Sequence, residues 1–292
     1  MTALRSLLFV PGNKENMLEK AAGLRPDVFI PDMEDSVPDA EKDNARKTIQ
    51  SFLPRLTQTG VPIMPRVNSL DSGWLESDLA AVVGPDILGL SIGKINGPQD
   101  IETASDLLAE LERAAELTVG SMKLIPWLES ARAIVKCYDI CASNPRIIGV
   151  AFGAEDFTHD MGIERLDDES EVAYARSVLC VAARAAHVTA LDTPYFRFKD
   201  EAGLKANCVA AKQRGFKGKF AIHPAQIDAI NETFSPSQEA IEHARRIVAA
   251  FEEAVAAGRG STSLDGKVID VPVVKRARAV LELAGTEAKN RD

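Results

Sequence analysis

Short β-rich apolar runs alternate along this chain with longer stretches whose apolar residues recur with a helical period. Eight runs have the length and the β-branched or aromatic content of strands: residues 6–10, 28–31, 62–67, 87–91, 123–128, 147–152, 188–191 and 220–222. Seven helical patterns lie between them: residues 14–22, 40–56, 73–83, 99–115, 130–142, 169–186 and 202–213. This repetition predicts a closed (β/α)8 TIM barrel. An open doubly wound sheet is the alternative, but residues 11–14 (PGNK) lack its glycine-rich phosphate turn.

The chain continues beyond the eighth predicted strand. The further elements are two helices, a flexible linker, a hairpin or extended arm around Asp265-Gly266 and a last helix: residues 225–233, 237–257, 258–263, 264–274 and 274–284. We therefore expect a barrel over residues 1–234 and extra C-terminal helices with an extended arm over residues 235–292. This extension could be a lid, a packing element or an arm that packs on or into a neighbouring subunit.

The composition is that of an ordinary globular protein. Of the 292 residues, 46% are hydrophobic and 26% are charged, which supplies enough apolar material for a large core. No apolar run approaches the ~20 residues that span a bilayer, and residues 1–10 lack the features of a secretory signal. The formal net charge of −9 argues against nucleic acid or an anionic membrane as a partner, since both require a basic face. It does not exclude a small anionic ligand.

Four cysteines, Cys137, Cys141, Cys180 and Cys208, have neither CxxC nor zinc-ligand spacing. We expect them to behave as buried small hydrophobic side chains. This usage fits a reduced, cytoplasmic protein.

The functional groups of a (β/α)8 barrel gather where its strands end in βα loops. The polar residues at these positions form a ring of carboxylates with a few cations: Asp32, Glu34, Asp35, Arg66, Asn68, Lys94, Glu129, Asp156, Asp192 and His223. Glu129 and Asp156 come just after the fifth and sixth predicted strands, which are neighbours in a parallel barrel. Mg²⁺ in proteins commonly takes one or two carboxylates and completes its shell with substrate and water. The pattern favours a metal-assisted reaction; a helix cap at Glu129 and a turn at Asp156 are the structural alternatives.

Six motifs follow one another in a recognisable order: RSLLFVPG at 5–12, DMEDSV at 32–37, PRVN at 65–68, FGAED at 152–156, FAIHPAQ at 220–226 and GKVID at 266–270. Together they resemble the citrate lyase β-subunit-like family of the HpcH/HpaI aldolase superfamily, which also contains malyl-CoA and citramalyl-CoA lyases. The resemblance covers nearly the whole chain and is far more specific for the family than for the substrate. One departure is the sequence SIGK at 91–94, where relatives often have a Pro-Lys pair.

The resemblance implies a TIM barrel that assembles into homotrimers or hexamers. It also implies a carbon–carbon lyase that depends on Mg²⁺, with Mn²⁺ as the alternative cation. The substrate would be a 3-hydroxyacyl-CoA thioester of the citramalyl-CoA or malyl-CoA type. The products would be acetyl-CoA and an α-keto acid, either pyruvate or glyoxylate.

The resemblance also implies roles for individual residues. Glu129 and Asp156 match the metal ligands, and Arg66 matches the arginine that contacts the keto acid and the thioester oxygen. Asp270 matches an acidic residue that the C-terminal segment delivers into a neighbouring subunit's site, where it would exchange a proton with the enolate carbon. The remaining substrate-binding candidates form two groups. Arg5 and Lys14 belong to the region that helps hold CoA, and Glu34, Asp35 and Lys94 form an acidic rim with a lysine.

Each assignment has a structural alternative. Arg66 could instead form a buried ion pair with Glu34 or Asp35, and Asp270 could be solvated surface. The carboxylates that follow the second strand are expected to be held by basic neighbours rather than to bind metal. The candidate neighbours are Lys42, Arg46 and Arg66.

Three other functions remain open at this point. One is the citryl lyase subunit of a citrate lyase complex, in which an acyl carrier protein bears the thioester. Another is a non-catalytic barrel that binds a keto acid and a metal. The third is a metal-dependent aldolase of free hydroxy-keto acids, which would need neither a CoA pocket nor a C-terminal arm.

Overall fold

The computed structural model describes residues 3–289. Eight parallel strands close into a barrel in chain order, which confirms the predicted TIM barrel. The strands are β1 Ser6–Pro11, β2 Val28–Asp32, β3 Arg66–Val67, β4 Gly89–Ile92, β5 Lys123–Leu128, β6 Gly149–Phe152, β7 Thr189–Asp192 and β8 Gly218–Ala221. Almost every strand residue is buried, as expected for parallel strands covered on both faces.

Nine α-helices lie between or after the barrel strands, up to residue 214: α1 Glu15–Ala21, α2 Lys42–Thr57, α3 Leu75–Val82, α4 Pro98–Ala114, α5 Ala131–Val135, α6 Cys137–Ala142, α7 Ala154–Met161, α8 Ala173–Ala185 and α9 Glu201–Arg214. Helix α2 illustrates why they form. Its residues Ala45, Ile49, Leu53 and Leu56 are buried, and their spacing places them on one face that packs inward. The four cysteines are buried and free, as expected.

The middle of the barrel is filled by large apolar side chains from several strands. Phe9, Trp127 and Phe220 form an aromatic cluster, with ring centroids 5.7 Å apart for Phe9 and Trp127 and 4.3 Å apart for Trp127 and Phe220. The Trp127 indole N–H donates to Ser91 Oγ at 2.7 Å, so its polar atom is satisfied in the core. This cluster forms the base on which the polar ends of the strands rest.

Three elements differ from the sequence predictions. Strand β3 contains only two residues because Pro62 and Pro65 lack the N–H that a ladder requires. The helix predicted over 130–142 is split at Lys136, whose φ of −97° and ψ of 12° interrupt the helical backbone. Helix α7, which was not among the predicted helices, starts directly after β6 and ends at Gly162 with a φ of 65°.

A second compact unit comprises residues 231–289 together with Ala3. Its elements follow helix α10 (Ile227–Phe234), which crosses the division, and are α11 Gln238–Ala256, β9 Thr262–Leu264, β10 Lys267–Ile269 and α12 Val271–Lys289. Strands β9 and β10 form an antiparallel hairpin that turns at Asp265-Gly266, where the sequence predicted a hairpin or arm. Helices α11 and α12 pack together through buried residues such as Ala244 and Val274. Among the described residues, no helix is both long and apolar enough to cross a lipid bilayer.

Candidate functional site

A cavity of about 480 Å³ opens at the end of the barrel where the strands reach their C-termini. One half of its wall is apolar: Phe9, Pro11, Trp127, Pro194, Phe196 and Ile222. The other half carries charges: Asp32, Asp35, Arg66, Glu129, Glu155 and Asp156. Concave sites that combine apolar walls with a few convergent polar groups are typical of small-molecule binding.

Glu129 follows β5 directly and is only 7% exposed. Its Oε2 accepts a hydrogen bond of 2.8 Å from the backbone N–H of Lys94. Gly153 faces the other oxygen so closely that a Cβ there would lie 2.3 Å from Oε1. Burial, together with the charges of Glu34 and Asp156, raises the pKa of Glu129 to about 8. A carboxylate in this state gains from a nearby cation.

Asp156 lies in the first turn of α7, three residues after Gly153, which separates this helix from β6. It is half-buried and lines the same cavity as Glu129. The two carboxylates offer only oxygen, which is the donor that hard cations such as Mg²⁺ prefer. Within residues 3–289, no group of three or more His, Cys, Asp or Glu side chains is arranged to hold a metal. Two carboxylates that line one cavity are a ligand set that Mg²⁺ accepts when substrate and water complete its shell.

Arg66 is the first residue of β3 and pairs in register with Asp32 at the end of β2. Its Nε and Nη2 each donate to Asp32 at 2.7 Å, and its Nη1 donates to Asp35 at 2.9 Å. Glu34 Oε2 lies 3.1 Å from the same Nη1. The guanidinium also lies 4.6 Å from the centroid of the Phe9 ring. Burial lowers the pKa of Arg66, but these carboxylates outweigh it and raise the pKa above its ordinary value.

Glu34 is the second strongly shifted carboxylate of the site. It is 4% exposed, and no hydrogen-bond donor among the described residues reaches its Oε1. The ammonium of Lys94 lies 3.5 Å from that oxygen and 3.8 Å from Asp35. Burial raises the pKa of Glu34 to about 7 even though Arg66 and Lys94 oppose the shift. The structure thus brings Glu34, Asp35, Arg66 and Lys94 into one charged cluster.

The predicted basic partners of these carboxylates prove to be mostly occupied elsewhere. Lys42 Nζ donates to the backbone carbonyls of Met33 and Glu34, both at 2.8 Å. Arg46 pairs with Asp43 and Asp78. Of the three candidates, Arg66 alone holds side-chain carboxylates of this rim.

Arg5 does not reach the cavity. It precedes β1, and its backbone N–H, Nε and Nη2 bind the carboxylate of Asp27, which precedes β2, at 2.7 to 2.9 Å. These positions are at the N-terminal ends of the strands, opposite to the cavity. The expectation that Arg5 helps hold CoA is therefore corrected. Lys14, in contrast, is exposed on the loop that follows β1 at the cavity end.

Asp270 belongs to the C-terminal unit. It is half-buried at the start of α12, where its Oδ1 accepts the backbone N–H of Val273 at 3.2 Å and its carbonyl accepts that of Val274 at 3.0 Å. The side chain therefore caps the helix that follows the β9–β10 hairpin.

Two strand-end residues have structural roles. Asp192 accepts hydrogen bonds from Arg176 Nη2 at 2.7 Å and from Lys219 Nζ at 2.6 Å, and all three residues are at most 1% exposed. His223 Nδ1 accepts the N–H of Ala225 and so caps the turn that follows β8. Neither residue lines the cavity.

Several residues of the site were not identified from the sequence. Gly153 and the backbone of Lys94 fix Glu129, and Phe9 and Phe196 form the apolar wall. The position of Gly153 directly after an apolar strand was a usable signal, since a glycine there permits close approach of another strand end. The left-handed backbone of Lys94 gave no signal, because lysine has no preference for that conformation.

The family model described as HpcH/HpaI aldolase/citrate lyase matches residues 5–224. Among curated relatives, citrate lyase subunit beta of Escherichia coli (strain K12) is 38% identical over 96% of this chain and 93% of its own length. The (3S)-malyl-CoA thioesterase of Cereibacter sphaeroides is 35% identical over 96% and 94%. The mitochondrial citramalyl-CoA lyase of Rattus norvegicus is 34% identical over 96% and 86%.

A solved structure resembles the whole chain. It is the CitE protein of Mycobacterium tuberculosis in complex with magnesium, acetoacetate and coenzyme A. The TM-score is 0.79 at 27% sequence identity, over 97% of this chain and 98% of that chain.

Proposed function

Because this chain belongs to the HpcH/HpaI aldolase/citrate lyase family, we propose that it is a Mg²⁺-dependent carbon–carbon lyase. Its proposed substrate is a 3-hydroxyacyl-CoA thioester of the citramalyl-CoA or malyl-CoA type, cleaved to acetyl-CoA and pyruvate or glyoxylate. The observation that carries the proposal is one cavity lined by Glu129, Asp156 and Arg66 beside an apolar wall. The citramalyl-CoA lyase relative and the magnesium and coenzyme A of the CitE structure support the same choice.

Glu129 and Asp156 are the proposed holders of the cation. Glu129 is buried, and the absence of a side chain at Gly153 leaves room for its carboxylate. Burial, followed by the charges of Glu34 and Asp156, raises the pKa of Glu129, and a cation bound beside its carboxylate would favour the ionised form. When bound there, Mg²⁺ would acidify the substrate hydroxyl and neutralise the charge that develops on its oxygens.

Arg66 is the proposed stabiliser of the enolate oxygen that cleavage creates on the thioester. Its guanidinium is a permanent cation at the cavity wall. The bonds to Asp32 and Asp35 fix its orientation, so little reorganisation is needed when charge develops. A buried ion pair of Arg66 and a role in catalysis are thus compatible, because the contacts that form the ion pair also fix the orientation of the guanidinium.

The apolar wall suits the uncharged part of a thioester. Phe9, Pro11, Phe196 and Ile222 line the same cavity as the carboxylates. The methylene and thioester portions of an acyl thioester can pack along such a wall, since they carry no hydrogen-bond donor.

Asp270 is the proposed acid that protonates the enolate carbon, in the site of a neighbouring subunit as the resemblance implies. Its carboxylate keeps Oδ2 available while Oδ1 accepts the N–H of Val273. Its place immediately after the β9–β10 hairpin is consistent with presentation by an arm.

The citryl lyase subunit of a citrate lyase complex is the second candidate. It is favoured by a specific observation, the 38% identity to citrate lyase subunit beta over 96% of this chain. In that case the thioester would be carried by an acyl carrier protein. The same cavity and the same residues would serve, so the two candidates differ in the carrier.

A substrate panel separates these functions. The purified protein is assayed with Mg²⁺ against (S)-citramalyl-CoA, (R)-citramalyl-CoA, malyl-CoA and citryl-CoA, with keto acid, acetyl-CoA and free thiol measured separately. We expect keto acid and acetyl-CoA in equal amounts from one ester, with loss of activity in EDTA and in Glu129→Ala. Free thiol without keto acid would instead indicate thioester hydrolysis. Inactivity on every CoA ester, with turnover of a citryl carrier protein, would select the second candidate.

Assembly and location are also proposals. We expect a homo-oligomer, a trimer or a hexamer, and size-exclusion chromatography with light scattering measures it. An exposed apolar groove between α5, α6 and α8 supports association with a second copy, since Val135, Tyr174 and Val181 there are 87%, 79% and 72% exposed. The four buried free thiols support a reducing compartment such as the cytoplasm.

A further inference from the structure

The loop between β4 and α4 is tied to the end of β5 by consecutive residues. The N–H of Lys94 donates to Glu129 Oε2 at 2.8 Å, and the N–H of Ile95 donates to the carbonyl of Trp127 at 3.3 Å. Main-chain donors of the loop therefore face β5 at two successive positions. The first of them binds a side chain, and that side chain is the carboxylate proposed to hold the cation.

Asn96 supports this arrangement from the other side. Its Nδ2 donates to the carbonyl of Lys94 at 3.0 Å, and its Oδ1 accepts the hydroxyl of Ser130. Its own N–H donates to Asp100 at 2.7 Å, in the first turn of α4. Both peptide groups that flank Lys94 are thus held, and the loop has little freedom to turn its N–H away from Glu129.

Lys94 itself has an unusual backbone. Its φ is +58°, in the left-handed region that glycine and asparagine adopt readily and that other residues adopt at a cost. Left-handed conformations in non-glycine residues persist when the surrounding structure enforces them, and they concentrate at functional sites. Here the conformation has an identifiable result, because the φ of Lys94 sets the peptide before it against the peptide after it, so that the N–H of Lys94 meets Glu129 while the N–H of Ile95 meets the carbonyl of Trp127.

We propose that Lys94 is a positioning residue for Glu129: its left-handed backbone lets the peptide after it bind β5 and Asn96 while the peptide before it keeps its N–H on one carboxylate oxygen, and this preorganises that carboxylate for the divalent cation. The inference rests on the proposed function and deepens it. It assigns the main chain of Lys94 a role separate from that of its ammonium, which lies 3.5 Å from Glu34 and 3.8 Å from Asp35.

Two substitutions separate the backbone from the ammonium. Lys94→Gly and Lys94→Val both remove the charge and both keep the N–H. Glycine adopts a positive φ freely, whereas a β-branched residue at φ +58° is strongly disfavoured. Loss of the ammonium is common to both variants, so a difference between them reports the backbone conformation.

The readout is the Kd of Mn²⁺, measured by electron paramagnetic resonance on the full-length protein, with the melting temperature recorded for each variant. We expect Lys94→Val to bind Mn²⁺ about tenfold more weakly than Lys94→Gly, at the lower end of the loss typical of residues that orient metal ligands. Equal affinities of the two folded variants would overturn the inference and leave the proposed metal site intact. Failure of the wild-type protein to bind Mn²⁺ would overturn the proposed function and the inference together.

A second measurement decides the matter if Lys94→Val does not fold. Hydrogen exchange followed by mass spectrometry reports the amide of Lys94 in the wild-type protein and in Glu129→Ala. We expect faster exchange at this amide in Glu129→Ala, because its acceptor is gone. An unchanged exchange rate would show that the amide is not bound to Glu129, which overturns the inference.

Discussion

At the scale of single residues, the site depends on the absence of a side chain at Gly153. A Cβ at this position would lie 2.3 Å from Oε1 and 2.5 Å from Cγ of Glu129, far inside normal contact. Gly93 has the same relation to Glu34, whose carboxylate oxygens would lie 2.8 and 2.9 Å from its Cβ. Two glycines at strand ends thus make the space that two buried carboxylates occupy.

Gly153→Ala should therefore weaken the cation site. The added methyl group must displace Glu129, whose side chain can move more easily than the backbone. We expect a ~10–100-fold loss of Mn²⁺ affinity with little change in the melting temperature. Gly84→Ala is the matched control, since its Cβ would have no neighbour closer than 4.0 Å. Equal Kd values of Mn²⁺ for Gly153→Ala and Gly84→Ala would show that the added methyl group does not displace Glu129.

Arg66→Lys tests the proposed stabilisation of the enolate. Lysine keeps the positive charge but cannot bind Asp32 through two donors while a third faces Asp35. We expect kcat to fall by about 10²–10³, the loss typical of removing one preorganised donor to an oxyanion. The Kd of Mn²⁺ should remain close to that of the wild-type protein. A variant that retains most of its kcat would remove Arg66 from the mechanism.

Residue identities alone could not predict how these groups meet. The sequence identified Glu129, Asp156 and Arg66 by motif and by their position at strand ends. The bond between Arg66 and Asp32 depends on the register of β2 and β3, which the alternation of apolar residues does not determine. Arg5 shows the opposite case. Its partner Asp27 is 22 positions away in the sequence. Arg5 begins a motif whose other end, Pro11-Gly12, lies at the cavity, but Arg5 itself lies at the opposite end of the barrel.

At the scale of elements, the periodic pattern predicted the barrel because most strands and helices can be recognised from the apolar period of their own residues. The predicted strand over 123–128 coincides with β5. Predictions failed where a local rule was overridden, as at β3, where Pro65 shortens the strand, and at α7, whose eight residues are too few for a clear period. Helix α7 matters for function, since its first turn carries Asp156.

The C-terminal arm offers a test at this scale. Asp270→Asn keeps the acceptor for the Val273 N–H and removes only the ionisable group. If Asp270 donates the proton to the enolate carbon, kcat should fall by about 10²–10⁴ while the Kd of Mn²⁺ stays unchanged. The measurement is steady-state cleavage of the preferred thioester.

Asp265→Asn on the same hairpin is the matched control. It breaks an exposed ion pair with Arg246, which contributes little, and asparagine tolerates the φ of +50° at this turn. We expect nearly normal kcat in this variant. Full activity of Asp270→Asn would assign Asp270 to the helix cap alone.

At the scale of the whole barrel, its two ends are built differently. The cavity end holds carboxylates with raised pKa values and a strained loop. The opposite end holds a compact, satisfied ion pair. Glu112 accepts bonds of 2.7 Å from both Nη atoms of Arg146 and bonds of 2.8 Å from the N–H groups of Gly120 and Met122. Glu112 is fully buried and Arg146 is 4% exposed.

This ion pair makes stability depend on pH in a predictable direction. Burial opposes ionisation of Glu112, but the bonds from Arg146, Met122 and Gly120 outweigh it and lower its pKa from 4.5 to about 2. A lowered folded-state pKa gives stability that is complete above the unfolded value and is lost as the pH falls from 4.5 towards 2. The shift corresponds to ~3 kcal/mol of unfolding free energy.

Glu112→Gln should therefore be less stable than the wild-type protein at pH 7 by ~3–5 kcal/mol, because Arg146 is left buried without its counter-ion. Urea unfolding at pH 7, 5, 4 and 3 measures the difference between the two proteins. We expect that difference to stay constant from pH 7 to 5 and to shrink at pH 4 and 3, where Glu112 of the unfolded wild-type chain binds a proton while the folded protein keeps it ionised. Other titrating groups are common to both proteins and cancel. A stability difference that is equal at pH 7 and pH 3 would mean that this network does not hold Glu112 ionised. The Kd of Mn²⁺ is a separate readout, and an unchanged value in Glu112→Gln would show that the two ends of the barrel are energetically independent.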